Sequence, residues 1–187
     1  MSFAGHRPRV AFQGERGAFS EEAAFKLLGT EIELVPRRTF AELFSSMEGD
    51  ALDYAVVPIE NTLIGPIHAA VNLLQSAHLN TRGEVLVQIE QHLIGCPGAT
   101  LEEIETVESH PAALAQCKRF FADHPRIVKV EAEDTAGSVA RIIEFGDRKR
   151  AAIAGRRAAE MYAGVILQEN LEDTSENYTR FLLLQRN

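Results

Sequence analysis

The sequence is poor in cysteine, and Cys96 and Cys117 are the only two. Two cysteines so far apart in the chain predict neither a disulfide framework nor a zinc site. Basic residues are also in the minority, because 19 Lys and Arg face 27 Asp and Glu and the formal net charge is −8. Nucleic acids and anionic membrane surfaces require a basic footprint, so the charge balance predicts neither as a partner.

Other signals of particular protein classes are missing as well. No stretch of the sequence approaches the roughly 18 to 20 apolar residues of a membrane span. The first residues contain no apolar core of a secretory signal. The six histidines are scattered without a metal-ligand spacing, and the glycine-rich dinucleotide and Walker lysine motifs are absent. These absences predict a soluble, cytoplasmic protein that acts on a small molecule.

Short apolar runs alternate with amphipathic segments along the 187 residues, of which 45% are hydrophobic and 25% charged. Val10-Ala11-Phe12 predicts a strand, and the spacing of apolar residues from Ala18 to Leu28 predicts a helix that ends at Gly29. Tyr54-Ala55-Val56-Val57 is typical of a strand covered on both faces. Repeated alternation of strands and helices is the pattern of an α/β fold.

Three further segments carry specific structural predictions. Thr39 and Glu42 have the spacing of a capping box at a helix start. The segment from Pro111 to Phe121 has the apolar spacing of one helix, and that from Val85 to Ile94 predicts one long extended run.

Polar residues lie at several strand-to-helix junctions, where the carboxyl ends of parallel strands gather and ligands bind. The junctions are Gly17-Ala18-Phe19-Ser20, Glu60-Asn61-Thr62, Ser109-His110-Pro111 and Asp134-Thr135-Ala136-Gly137-Ser138. Helix N-termini favour anions, so several such junctions predict a carboxylate or phosphate site. The same residue types also cap helices without binding any ligand.

A polar cluster of Asn177, Thr179 and Arg180 leads into a late apolar strand. These residues are compatible with a functional site and equally with a strand start that carries one solvated arginine.

The motifs in their order resemble the catalytic domain of the prephenate dehydratase family, which includes the plant-type arogenate dehydratases. The resemblance extends from Arg9 to Leu184 and rests on these blocks: Val10-Ala11-Phe12-Gln13-Gly14 through Gly17-Ala18-Phe19-Ser20-Glu21, Val57-Pro58-Ile59-Glu60-Asn61-Thr62, Ser109-His110-Pro111-Ala112-Ala113-Leu114-Ala115-Gln116-Cys117, Asp134-Thr135-Ala136, Ala151-Ala152-Ile153-Ala154 and Asn177-Tyr178-Thr179-Arg180-Phe181.

The resemblance implies a bilobal α/β fold like a type II periplasmic binding protein, with the active site in a cleft between two α/β lobes. The first lobe is expected to contain about residues 1–83 plus 167–187, and the second about residues 84–166.

The implied reaction is the decarboxylating dehydration of prephenate to phenylpyruvate, a hydro-lyase step of L-phenylalanine biosynthesis. It needs no metal or organic cofactor, and the family implies a homodimer or higher homo-oligomer. Two alternatives remain: arogenate as the preferred substrate, and a non-catalytic module of the same fold that binds a small carboxylate.

The resemblance also implies the site residues. Thr179 is the catalytic residue, whose hydroxyl donates to the departing ring hydroxyl, and Arg180 is a candidate clamp for a carboxylate. Asn61 and Gln116 are candidate neutral donors. The full set expected to bind substrate or lie beside it is Asn61, Ser109, Gln116, Arg180, Thr135, Phe181, Glu60, Thr62 and Ser20. For Glu60 a structural role is favoured, because a carboxylate is unfavourable beside a dianion.

The sequence departs from the family pattern in three ways. Thr62 stands where serine is usual, and Ala112 replaces a common glutamine. The chain ends at Asn187, so we expect neither an ACT-type domain nor a chorismate mutase domain, and no ACT-mediated inhibition by phenylalanine.

Overall fold

The structure is a computed structural model that describes residues 7–49 and 51–186. The chain divides into two compact units. Of the described residues, the first contains 7–15, 19–49, 51–88 and 177–186. The second contains Arg16–Ala18 and Ile89–Glu176. Each unit has its own sheet and its own helices.

The strands in chain order are β1 (Arg9–Gln13), β2 (Glu33–Arg37), β3 (Tyr54–Asn61), β4 (Gly65–Pro66), β5 (Leu79–Gln88), β6 (His92–Gly95), β7 (Thr106–Ser109), β8 (Val128–Glu131), β9 (Arg150–Ala154), β10 (Val165–Gln168) and β11 (Tyr178–Arg186). The α-helices are α1 (Phe19–Leu28), α2 (Phe40–Gly49), α3 (His68–Ser76), α4 (Pro111–Gln116), α5 (Lys118–Asp123), α6 (Thr135–Phe145) and α7 (Arg156–Tyr162). The predicted α/β class is confirmed.

The sheet of the first unit has the strand order β2-β1-β3-β11-β5, with β4 paired to β3. β1 runs parallel to β2 and β3, whereas β11 runs antiparallel to both of its neighbours. The last strand of the chain therefore lies inside the sheet, between β3 and β5. Helices α2 and α3 cover one face, where the buried core contains Leu43, Met47, Val57, Leu182 and Leu184.

The boundaries between the units lie at Gln88 and Asn177, about five and about ten residues later than those expected near 83 and 167. β5 stays in the first unit along its whole length, because it pairs with β11 from Leu79 to Gln88. The loop before β11 belongs to the second unit, where Leu171 N–H donates to the Gln91 carbonyl at 2.7 Å.

The sheet of the second unit has the order β10-β6-β9-β7-β8. β7 is parallel to β8 and to β9, so the carboxyl ends of these three strands lie at one edge of the sheet. One face packs on α4 and α5 through a core that includes Val107, Leu114 and Phe120. The other face packs on α6 and α7 through residues such as Ile94 and Val139.

Two predictions about individual elements are wrong. The run from Val85 to Ile94 is not one strand, since β5 and β6 lie in different sheets. The segment from Pro111 to Phe121 is not one helix, because Cys117 has φ −113° and ψ 41° and separates α4 from α5. The main-chain N–H groups of the next two residues donate instead to the carboxylate of Asp173, which therefore caps α5.

Several local predictions are confirmed. Gly29 has φ +78° and follows α1, where its N–H donates to the Phe25 carbonyl. His110 caps α4, with Nδ1 accepting from Ala112 N–H at 3.1 Å. The predicted capping box of Thr39 and Glu42 forms only in part: Thr39 Oγ1 accepts from Glu42 N–H at 3.1 Å, but the Glu42 carboxylate accepts from the N–H of residue 38 instead of that of Thr39.

Candidate active site

Thr179 lies in a buried hydrogen-bonded group with Asn61 and Asn177 in the first unit. Thr179 is the register partner of Asn61 across the antiparallel pair of β11 and β3. Asn61 Nδ2 donates to Thr179 Oγ1 at 3.0 Å and to Asn177 Oδ1 at 2.8 Å. The three residues are 7%, 4% and 0% exposed, in the order Thr179, Asn61, Asn177. The structure therefore places the predicted catalytic hydroxyl directly beside an amide donor.

The orientation of the Asn61 side chain is fixed from its other end. Asn61 Oδ1 accepts from the main-chain N–H groups of Leu63 and Ile64, at 2.9 and 3.2 Å. The amide nitrogen must then point toward Thr179, and both of its hydrogens have acceptors. Because the amide is fully engaged, its geometry supports a role in positioning the hydroxyl rather than the predicted donation to substrate.

Thr62 fastens the end of β3 to the start of β11. Thr62 Oγ1 accepts from Tyr178 N–H and Thr62 N–H donates to the Tyr178 carbonyl, both at 2.9 Å. Thr62, which stands where serine is usual in the family, thus uses its hydroxyl to hold Tyr178, the residue before Thr179.

Arg180 lies on the opposite face of the sheet from Thr179, since successive residues of a strand alternate between faces. Its guanidinium pairs with Glu60 at 3.0 Å and with Glu84 at 3.4 Å. All three side chains are substantially exposed, so these pairs contribute little to stability. The geometry does not support the predicted clamp on a carboxylate beside Thr179, and it agrees with a structural role for Glu60.

Phe181 and Ser20 are both buried in the first unit. Phe181 is 2% exposed and follows a bulge in the pairing of β11 with β3. Ser20 lies in the first turn of α1. Phe181 is two residues beyond Thr179 and on the same face, where it forms part of the packed interior.

Ser109, Gln116 and Thr135 belong to the second unit. Ser109 ends β7, is fully buried, and donates from Oγ to the Ile153 carbonyl at 2.6 Å. Its hydroxyl hydrogen is therefore engaged, and only its lone pairs remain for a ligand. Thr135 is the first residue of α6, after the Asp134 side chain that caps the helix. Gln116 is the last residue of α4 and is half-buried.

Two polar features of the second unit were not among the predicted site residues. Glu108 is buried and pairs with Arg141 and Arg150, each at 3.0 Å. Next to the start of β6, His92 Nε2 and Gln91 Oε1 are buried without a hydrogen-bond partner among the described residues. No sequence motif marked either feature, because the partners of Glu108 lie 33 and 42 residues away in the chain and the burial of His92 and Gln91 follows only from the assembled fold.

Burial determines the ionisation of two other groups. It lowers the pKa of His92, and the nearby Arg156 guanidinium adds to this effect, although Glu90, Glu169 and Glu172 act to raise it. His92 Nδ1 accepts from Asn170 N–H, which identifies the neutral ring as the Nε2–H tautomer. Burial raises the pKa of the Cys117 thiol to about 12. Cys117 is therefore an inert core residue.

Within residues 7–49 and 51–186, no three His, Cys, Asp or Glu side chains come together in a way that could hold a metal ion. No helix in the same residues is long and apolar enough to span a membrane.

Comparison with known sequences identifies the family. The profile described as prephenate dehydratase matches residues 10–187. Arogenate dehydratase 2 from Petunia hybrida is 41% identical over 187 residues, which is 100% of this chain and 47% of that protein. A protein from Arabidopsis thaliana named arogenate dehydratase/prephenate dehydratase 2, chloroplastic, is 39% identical over 182 residues, 97% of this chain and 47% of that protein. The chain spans about half the length of these curated relatives.

Solved structures agree on the fold. A prephenate dehydratase from Arthrobacter aurescens in complex with L-Phe has a TM-score of 0.87 at 28% identity, covering 96% of this chain and 60% of that one. GqqA, described as a novel type of quorum-quenching acylase, has a TM-score of 0.83 at 33% identity, covering 96% and 64%. The ligand-binding component of an ABC-type import system from Staphylococcus aureus has a TM-score of 0.52 at 14% identity, covering 96% and 66%, which concerns the fold alone.

Two α/β units, each built on its own sheet, give the chain a fold shared with periplasmic-binding-protein-like structures, as the resemblance implies. The buried Asn61–Thr179 pair lies in one of them. The chain belongs to the prephenate dehydratase family.

Proposed function

We propose that this chain removes water and carbon dioxide from prephenate to give phenylpyruvate. The observation that carries the proposal is the hydrogen bond from Asn61 Nδ2 to Thr179 Oγ1 at 3.0 Å. Because Oγ1 accepts from the amide, its own hydrogen is available to donate elsewhere. A hydroxyl that is held as a donor is what the departing ring hydroxyl of prephenate requires.

The reaction needs one proton and one electron pair to move. As the ring carboxylate leaves as carbon dioxide, the electrons of its carbon–carbon bond enter the ring. The ring becomes aromatic and expels the hydroxyl group at its far side, which departs as water when a proton reaches it. The Thr179 hydroxyl stabilises the negative charge that develops on this oxygen, by a hydrogen bond or by proton transfer.

The other hydrogen-bond partners of Asn61 strengthen this arrangement. Two main-chain N–H groups donate to the Asn61 carbonyl oxygen and polarise the amide, which makes its nitrogen a better donor to Thr179. Asn177 Oδ1 holds the other amide hydrogen. In this proposal Asn61 and Asn177 orient the hydroxyl, and Thr62 orients the strand that carries it.

Ser109, Gln116 and Thr135 are the proposed substrate-binding residues of the second unit, on the strength of their motif positions. The Gln116 amide and the Thr135 hydroxyl are neutral donors that bind a carboxylate without stabilising it strongly enough to oppose its loss. The Ser109 hydroxyl, whose hydrogen is engaged, can only accept from a donor on the substrate. Arg180 is not included, because it is paired with Glu60 on the other face of β11.

GqqA is described as an acylase, and an acylase that used a hydroxyl nucleophile would require a base to accept its proton. The Asn61 group that contacts Thr179 Oγ1 is a donor, so the geometry supports dehydration instead. Arogenate remains a second candidate substrate, favoured by the 41% identity to an arogenate dehydratase. We further propose a cytoplasmic location, which cell fractionation would test.

The test is turnover of prephenate and arogenate side by side by the 187-residue chain and its Thr179→Val variant. Removing one donor of this kind costs about 2–4 kcal/mol, so we expect a fall in kcat of about 10²- to 10³-fold. Thr179→Ser is the matched control, because it keeps the hydroxyl, and we expect it to retain most of the activity. Full turnover by Thr179→Val would overturn the assigned role, and turnover of neither substrate by the unsubstituted chain would overturn the function.

A further inference from the structure

β8 forms an open edge of the second sheet. Among the described residues it pairs only with β7. The N–H groups of Val128 and Ala132 donate toward β7, to the carbonyls of Glu105 and Ser109 at 2.9 Å each. Main-chain groups alternate in direction along a strand, so those of Lys129 and Glu131 point away from β7, to the open edge.

The side chains of β8 are all exposed. Val128 and Val130 are 59% and 36% exposed, which is unusual for valines in a sheet. Their side chains lie on the same face of the sheet as that of Glu108, because Val130 is the register partner of Glu108 in the parallel pair of β7 and β8. Phe145, which is 65% exposed, is near this face because Arg150 contacts both the Glu108 carboxylate and the Phe145 ring.

Lys129 and Glu131 project from the opposite face of the strand. Lys129 Nζ lies 4.3 Å from the centre of the Phe121 ring. A lysine in an edge strand usually prevents pairing with another chain, since a second copy brings the same charge to the same place. The glutamate two residues later changes this argument, because an antiparallel second copy reverses the order of the two charges.

We propose that β8 is an interaction surface for a second copy of this chain, which pairs with it antiparallel about a two-fold axis at Val130. In this register Lys129 faces Glu131 of the second copy, and Glu131 faces its Lys129. Both residues have their main-chain groups on the open edge, so the pairs that exchange hydrogen bonds are also the pairs with opposite charges. Val130 meets its own counterpart, where side chains come closest.

Other registers are less favourable. A two-fold axis at Lys129 or at Glu131 brings two like charges directly opposite one another. A shift by one residue puts the lysine and the glutamate on opposite faces of the new sheet. The charge pattern of β8 therefore selects one register.

The dimer is expected to depend on concentration. Pairing of a four-residue strand together with the patch around Phe145 buries less than the roughly 1,200 Å² of a stable standard interface. The association is thus weak and reversible, and it is independent of the proposed dehydratase activity.

A charge-reversal cycle tests the register by sedimentation velocity over a range of protein concentrations. We expect Lys129→Glu alone and Glu131→Lys alone to shift the dimer toward monomer, because each creates like-charge pairs at both ends of the strand. The double variant K129E/E131K restores opposite charges, and we expect it to dimerise like the unsubstituted chain. Loss of the contact between Lys129 and Phe121 cannot produce this rescue, since the double variant also lacks that contact.

Oxidative crosslinking provides an independent test. In the proposed register the Cα atoms of Val130 in the two copies are about 4.5 Å apart, within the range that a disulfide spans. We expect Val130→Cys to form a covalent dimer, while both native cysteines are buried. Val165→Cys, on the exposed edge strand β10, is the matched control for random collisions. Crosslinking of Val130→Cys no greater than that of Val165→Cys, or failure of the double variant to restore the dimer, would overturn the proposal.

Discussion

At the residue scale, the side chain of Asn61 determines how Thr179 can act. Its oxygen accepts two main-chain N–H groups, and its nitrogen donates to Thr179 and Asn177. The amide therefore cannot rotate. Because the Thr179 oxygen accepts from it, the Thr179 hydroxyl hydrogen is the group that can donate to a ligand. The Asn61 amide thus orients the Thr179 hydroxyl, whereas a threonine on a solvent-facing strand would have no such neighbour to orient it.

Replacing Asn61 by Asp tests this relation without changing the size of the side chain. A carboxylate cannot donate to Thr179 Oγ1 and accepts its hydrogen instead, which diverts the hydroxyl from substrate. We expect Asn61→Asp to lower kcat by about 10²-fold, as for the loss of an oriented donor, with a smaller change in KM. Steady-state kinetics with prephenate measure both constants.

The double variant with Thr179→Val separates orientation of the hydroxyl from a general loss of structure. If Asn61 acts through Thr179, the substitution Asn61→Asp costs little more once the hydroxyl is gone. Equal fold losses from Asn61→Asp with and without Thr179 would contradict the positioning role. Thermal unfolding of each variant verifies that the fold is intact.

The sequence predicts these residues better than it predicts their relations. The Asn177–Phe181 block marks Thr179 and Arg180 as neighbours, and strand alternation could have indicated that they face opposite sides. The hydrogen bond between Asn61 and Thr179 joins residues 118 positions apart and depends on the register of β3 with β11. Only the assembled sheet determines that register, so the sequence could not place the Asn61 amide beside Thr179 or the Glu60 carboxylate beside Arg180.

At the element scale, the break between α4 and α5 shows how a distant residue overrides helical periodicity. The apolar spacing through Leu114, Cys117 and Phe121 is compatible with a continuous helix, and all three side chains are buried. Asp173 nevertheless accepts the N–H groups of Lys118 and Arg119, at 3.0 and 2.9 Å, and a new helix begins there. The spacing of apolar residues predicts which face is buried, but it cannot predict a helix cap supplied by a residue 54 or 55 positions away.

Removing this cap should destabilise the protein. Burial acts to raise the pKa of Asp173, but the hydrogen bonds from Arg119 and Lys118 outweigh it and hold the pKa below its usual range. We expect Asp173→Ala to lower the free energy of unfolding by about 1 kcal/mol at neutral pH, as for other N-cap deletions. Urea unfolding measures the difference.

The sign of the pH dependence follows from the lowered pKa. The stabilisation by Asp173 is present above the pKa of an unfolded aspartate, about 3.9, and is lost as the pH falls through the lower pKa of the folded state. Asp123→Ala is the matched control, because Asp123 lies at the C-terminal end of α5, where a negative charge is unfavourable. A loss of stability in Asp123→Ala as large as that in Asp173→Ala would argue against capping.

At the scale of the whole molecule, the stability of the fold should depend on His92. This ring is 1% exposed, and burial, followed by the charge of Arg156, lowers its pKa. The unfolded chain binds a proton at this histidine below about pH 6.5, whereas the folded chain resists it. Stability is therefore retained above this pH and is lost as the pH falls below it, by up to about 1.4 kcal/mol for each pH unit.

The variant His92→Asn isolates this contribution. Asparagine keeps an acceptor for Asn170 N–H but does not titrate, so we expect the stability of the variant to fall less steeply as the pH drops below about 6.5. Exposed His78 supplies the matched control His78→Asn. If both variants had the same slope of unfolding free energy against pH, His92 would not be responsible.

The position of β11 has a consequence for how the protein is made. This strand lies inside the first sheet, yet its residues follow the entire second unit in sequence. During translation, residues 89–176 leave the ribosome before the strand that joins β3 to β5, so the second unit can fold while the first still has a gap in its sheet. Thr179 lies in that strand, so the hydrogen bond that orients its hydroxyl forms only after residues 178–186 have left the ribosome.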